Sequence, residues 1–269
     1  MMRYYYLFIC LIGLMSNSQL ISENFTKNNS DDSKNEDKIL ELISYDDVDI
    51  DDIVWSRVVY EEVDLSQKFN YPLFFPKDGL DDENRKSLWY IIRESILTLK
   101  IKNIYNDANP NFTEKMDSDT FLSRIQNTDG PEPILLRSAD ISSYILKGVW
   151  YFDKRRGELF YKILGIMPRG RDMNNFMSDD PVNLFWISFD DLRPYLLDEN
   201  VLVNKNNSFK SSFDKILTSR VFSARIIGTN NMFNNRFIED YIEDPFMQLI
   251  ESEKIKNNIL NFELDLWID

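Results

Sequence analysis

The chain has 269 residues, a net charge of −14, no histidine and one cysteine. Without histidine, the usual Ser-His-Asp and Cys-His nucleophile systems are excluded, as are zinc sites built on histidine or several cysteines. A pI near 4.6 argues against nucleic acid as a partner, because phosphates demand a basic surface. Hydrophobic residues make up 43% of the chain and aromatics 14%, enough for a packed core rather than a disordered segment.

Residues 1–18 read as a secretory signal. Arg3 supplies the basic start, residues 4–15 the apolar stretch, and Ser16-Asn17-Ser18 a small-x-small cleavage site. The stretch is short for a membrane span, which takes about 20 apolar residues. Cys10 lies inside it, so cleavage leaves a mature chain without a thiol. Residues 19–52 form an acidic, Asn/Ser-rich tether. Its cluster Asp46-Asp47-Val48-Asp49-Ile50-Asp51-Asp52 lacks the central glycine and closing glutamate of a calcium loop, and reads as a solvated strand edge. The globular domain is expected over residues 53–269.

Residues 53–65 are rich in β-branched and aromatic side chains and predict a long strand. Residues 71–79, bracketed by Pro72 and Pro76, predict an extended segment closing in an Asp-Gly turn. Leu88, Ile91, Ile92, Ile96 and Leu99 recur at helical spacing and predict a helix over 82–100, with acids 81–83 at its start. A short helix is expected around Phe121 after caps at Ser118 and Asp119. Residues 144–152 and 158–166 flank Asp153-Lys154-Arg155-Arg156-Gly157 and predict a hairpin. Its basic tip reads as a solvated turn or as an anion site. A strand over 183–189 runs into a helix over 190–197; 209–217 is expected helical and 220–228 extended.

Pro245 suits the first position of a closing helix. At about 100° per residue, Phe246, Leu249, Ile250, Leu260, Leu264 and Trp267 fall on one side. Ile255, Ile259, Phe262 and Leu266 fall on the other. One stripe packs on the fold; the second is either sandwiched within it or meets another chain. The fold class these elements predict is α+β: an antiparallel sheet with a hairpin, flanked by several short helices and a C-terminal helix.

No glycine-rich phosphate loop or serine elbow occurs, and no spacing singles out two carboxylates among the 45 acids. No cofactor is implied. Trp150, Tyr151 and Trp186 could line a sugar- or peptide-binding pocket; the plainer reading is core and interface packing.

Several segments together resemble a known family. They are residues 54–65 (VWSRVVYEEVDL), 72–76 (PLFFP), Arg85-Lys86-Ser87-Leu88 opening a helix, 149–159 (VWYFDKRRGEL), 164–168 (LGIMP), 235–241 (NRFIEDY) and the terminal Asp265-Leu266-Trp267. In order and composition they are similar to the gliding-motility protein family GldN, called PorN in non-gliding relatives, over roughly residues 53–269. The resemblance implies a non-enzymatic periplasmic component of the Bacteroidetes type IX secretion system. It implies a partner lipoprotein of the outer membrane, GldK/PorK, self-association in a ring, and coupling to the periplasmic part of the motor protein GldM/PorM. Trp55, Ile255, Ile259, Phe262, Leu266 and Trp267 are the expected protein-interface residues. The alternative is a free periplasmic sugar- or peptide-binding module.

Overall fold

The computed structural model describes residues 52–77, 86–128, 130–175, 178, 180–197, 200–202, 210–229 and 237–266. The expected signal, the tether before Asp52, the Asp78-Gly79 turn, acids 81–83 and Trp267 lie outside the described residues.

The long strand expected at 53–65 is β1 (Ile53–Asp64), and the hairpin is β3 (Ile141–Asp153) with β4 (Glu158–Gly170). Both hairpin strands run further than the sequence suggested, so β3 pairs with β1 on one side and β4 on the other along almost its full length. The turn between them follows the expected chemistry. Asp153 Oδ1 accepts the amides of Arg155 and Arg156, and Gly157 takes φ +69°. Two shorter strands, β2 (Ile104–Tyr105) and β5 (Trp186–Ser188), and β6 (Arg225–Thr229) complete the path β6-β1-β3-β4-β5-β2. Residues 182–183 add a further antiparallel pairing to β4, and every described pairing in this sheet is antiparallel.

The first helix is shorter than the apolar periodicity alone predicted. α1 covers Leu88–Leu97, capped by Ser87, whose Oγ accepts the Tyr90 amide. It stops because Leu99 turns left-handed at φ +58°, with Leu99 N–H bonding to Ile96 O and Lys100 N–H to Ser95 O. α2 (Ser118–Ile125) is capped by Asp117 rather than by Ser118 or Asp119. α3 (Phe189–Leu197) follows β5 directly, as expected. Residues 209–217 were expected to be helical throughout. Instead Lys210–Ser212 pairs as a strand, and α4 (Phe213–Thr218) begins where Ser212 caps it.

Residues 71–79 correct the sequence reading most clearly. Tyr71–Phe74 is a helical turn, not an extended segment, and Pro72 sits in its first turn, where a missing amide costs nothing. Asn70 sets this turn: fully buried, it donates to Asp64 O and Ser223 O and accepts the Ser223 amide.

One face of the sheet carries two apolar groups in series. Val63, Leu146, Ile163 and Ile166 meet α1, α3 and α4 in the main core, where Trp89, Phe121, Phe185 and Phe213 are fully buried. Further along the same face, Val59 and Ile226 meet the closing helix α5 (Pro245–Leu266). The opposite face holds Tyr60, Ile145, Met167 and Trp186, with Phe112 and Phe237 packed against them. Lys147 anchors the Phe112 loop there, donating to Pro110 O at 2.7 Å and Asn111 Oδ1 at 3.2 Å. Burial pulls its ammonium below the ordinary lysine value.

Candidate interaction surfaces

Between the two apolar groups lies a buried charge network. Glu61 of β1, its side chain 4% exposed, receives both arms of Arg220 at 2.8 Å and the Tyr161 hydroxyl at 2.6 Å. Arg220 stands just past α4 at φ +52°, in the left-handed position that ends the helix. Its amide bonds Leu217 O and the Val221 amide bonds Ile216 O, a helix end that glycine usually occupies. The guanidinium lies 3.9 Å from the Tyr161 ring centre, with Trp150 and Phe222 at 5.2 and 5.3 Å. Arg220 thus ties the helical layer to β1 through a planar, bidentate contact that lysine could not reproduce. Gly148 makes room for this arrangement, since a Cβ there would collide with the Tyr161 ring and hydroxyl.

Burial, and after it the charge of Glu61, holds the Tyr161 phenol well above its ordinary value of 10.0. A phenol whose folded pKa is raised stabilises the fold below the unfolded value and loses that contribution as pH climbs through it. Stability is therefore expected to fall between about pH 9 and about pH 11 more steeply in the natural chain than in Tyr161→Phe. Denaturant unfolding at the two pH values checks this; parallel losses in both proteins would refute it.

The closing helix separates its two apolar stripes. Ile255 and Ile259, 6% and 2% exposed, are buried against Val59, Ile226 and Ile238. Phe262 stacks on Trp55 with ring centres 4.4 Å apart and meets Phe152 edge-on. Arg57 lies over the Trp55 ring at 5.7 Å. The expected interface residues Trp55, Ile255, Ile259 and Phe262 are thus brought together, but in contact with each other's elements inside one chain. Leu266 ends the helix. The outward stripe is the other one: Phe246, Met247, Leu249, Ile250 and Leu260 are all exposed, Phe246 by 66%. Two stripes were legible from periodicity. Which one faced the sheet was not, since helical spacing carries no information on where the sheet lies.

A second exposed group was missed in the sequence. Phe69, Tyr71 and Phe75 are exposed, and the rings of Tyr71, Phe75 and Phe74 meet edge-on at 5.0–5.3 Å. Lys77 sits over Phe74 and Phe75. The signal was present in the spacing of four aromatics within seven residues. Reading the segment as extended hid it, because only a helical turn gathers those rings on one side.

The basic hairpin tip is ion-paired. Lys154 and Arg155 both reach Asp52, at 3.8 and 3.7 Å, and Arg156 reaches the buried Asp153 at 3.6 Å. Trp150 and Trp186 belong to different apolar groups, and Tyr151 stacks on Phe160. Trp150 and Trp186 therefore stand on opposite faces of the sheet. Among the described residues no group of three or more acids could hold a metal ion, and no helix is long and apolar enough to cross a membrane.

No curated protein matches the chain. The family model described as gliding motility associated protein GldN matches residues 48–268. That span contains every strand and helix described above, and the chain therefore belongs to the GldN family, a structural component of the gliding-motility and type IX secretion machinery.

Proposed function

We propose that the protein is a non-enzymatic subunit of a periplasmic ring, pairing with an outer-membrane lipoprotein of the GldK/PorK type and contacting the periplasmic part of a GldM/PorM-type motor. Residues 1–18 would export it and residues 19–52 would wrap a partner and order on binding. Family membership supports the machine. The observation that carries a scaffolding role is the exposed aromatic group Phe69, Tyr71 and Phe75, which leaves large apolar side chains in water on an otherwise acidic molecule. Aromatic side chains are enriched at protein interfaces and dominate their energetics, and the Lys77 ammonium lies over the neighbouring Phe74 ring.

The test is affinity capture from the native envelope followed by mass spectrometry. The expected result is a high-mass particle containing a lipoprotein. Phe69→Ser with Phe75→Ser is expected to weaken that capture by about tenfold or more while leaving the melting curve unchanged. A strictly monomeric, partner-free protein would count against the reading.

A further inference from the structure

The scaffolding role leaves two features of the sequence unused: the basic tip of the β3–β4 hairpin and the acidic run before β1. The fold brings them together. The described residues begin at Asp52. Its carbonyl accepts the Lys154 amide at 2.9 Å, and its carboxylate draws Lys154 Nζ to 3.8 Å and Arg155 Nε to 3.7 Å. The chain therefore enters β1 alongside the tip. The Lys154 and Arg155 side chains stay 54% and 62% exposed, so the tip still presents its charge to a segment arriving from solvent. Arg156 beside them pairs with the buried Asp153 at 3.6 Å.

The charges on the two features are opposite. Residues 141–170 carry six basic side chains against two acids, on a chain of net charge −14. Residues 19–52 carry eleven acids against three lysines. Within them, Asp46-Asp47-Val48-Asp49-Ile50-Asp51 has a period of two. On an extended backbone Asp47, Asp49 and Asp51 share one side, and Val48 and Ile50 the other. Six residues span at most about 20 Å, so the carboxylate row begins at the pinned Asp52 and stays close to it.

We propose that the hairpin tip is the docking site of the chain's own acidic run 46–51, with Asp52 as its first contact and Lys154 and Arg155 as its cations. The tip then fixes the direction in which the tether leaves the body, and residues 19–45 remain for a partner. Each exposed ion pair is weak, a factor of about two to five. Several in a row, on a segment whose end is already held and whose loop is short, favour the docked state about tenfold at low salt. The Debye length falls from about 30 Å at 0.01 M salt to about 3 Å at 1 M, so docking is lost across that range.

Electron spin-resonance distances on the full chain read the docking. Labels are placed at Ser44→Cys, in the tether, and at Ser56→Cys, exposed on β1, in a Cys10→Ser background. A narrow distance distribution is expected at about 0.01 M salt and a broad one at about 1 M. Lys154→Gln with Arg155→Gln is expected to broaden it at low salt, with melting unchanged because both side chains are exposed. Lys154→Glu with Arg155→Glu should broaden it too, and adding Asp49→Lys, Asp51→Lys and Asp52→Lys should narrow it again, which a damaged hairpin could not do.

A broad distribution at low salt in the chain of natural charge overturns the proposal. So does a narrow one that neither salt nor the glutamine pair changes, since Val48 and Ile50 rather than charge would then hold the run. The same distance between singly labelled chains after mixing would place the run on another copy and likewise overturn it. None of these outcomes bears on the Phe69/Phe75 capture experiment, so the two readings fail separately.

Discussion

Arg220→Ala is expected to destabilise the fold by about 3 kcal/mol, at the low end of the range for breaking a buried ion pair. The low end applies because the arginine side chain keeps 28% exposure, so part of its own charge was never desolvated. Its partner is the costly side. Glu61 is 4% exposed, and without Arg220 its carboxylate retains only the Tyr161 hydroxyl among the contacts described. Arg220→Lys should recover less than half of the loss, because an ammonium cannot fill both carboxylate oxygens at 2.8 Å. Arg220→Gly separates backbone from charge. It makes the same electrostatic loss but relieves the left-handed φ of +52°, and should be about 1 kcal/mol more stable than the alanine variant. Urea unfolding of the three proteins measures all of this. Equal stability of the alanine and glycine variants would show that the backbone carries no strain there. A loss below about 1 kcal/mol for alanine would show that the ion pair is not structural.

The second large effect distinguishes two neighbours on one helix. Ile259→Ala should cost about 2–5 kcal/mol, because Ile259 is 2% exposed and its removal leaves a cavity against Val59, Ile226 and Ile238. Leu260→Ala removes a side chain of similar size that is 43% exposed, and should cost under about 1 kcal/mol. The same pair of measurements would read oppositely if α5 presented its other side to the sheet. The stack of Phe262 on Trp55 gives a further check: Phe262→Ala should also release the Trp55 ring to solvent and shift tryptophan fluorescence to longer wavelength.

Much of the fold was written locally. β1, the β3–β4 hairpin with its Asp153 and Gly157 turn, α1, α3 and the start of α5 at Pro245 are set by β-branched runs, helical spacing and turn residues, which act over a few positions. Two of the places where local reading failed share a cause. Tyr71–Phe74 becomes helical because Asn70 is clamped to Asp64 and to Ser223, 153 residues away in sequence. α1 ends at Leu97 because Leu99 turns left-handed, a conformation that no Gly or Asn announced. Arg220 takes the place of a helix-ending glycine because Glu61, on a distant strand, holds its guanidinium. For Asn70 and Arg220 a contact far along the chain outweighs a local preference of about 1 kcal/mol or less.

The candidate surfaces divide in the same way. The resemblance to the GldN family rested on short motifs in order, and linear order is something a sequence displays directly. The sequence alone also determined the acidic charge, the absence of histidine chemistry, and two apolar stripes on the last helix. Only the tertiary structure decided which stripe is core and which is surface. Helical periodicity fixes the angle between two stripes but not the direction of the sheet, and the sheet's position is settled by the pairing of β6 with β1, residues more than 150 positions apart.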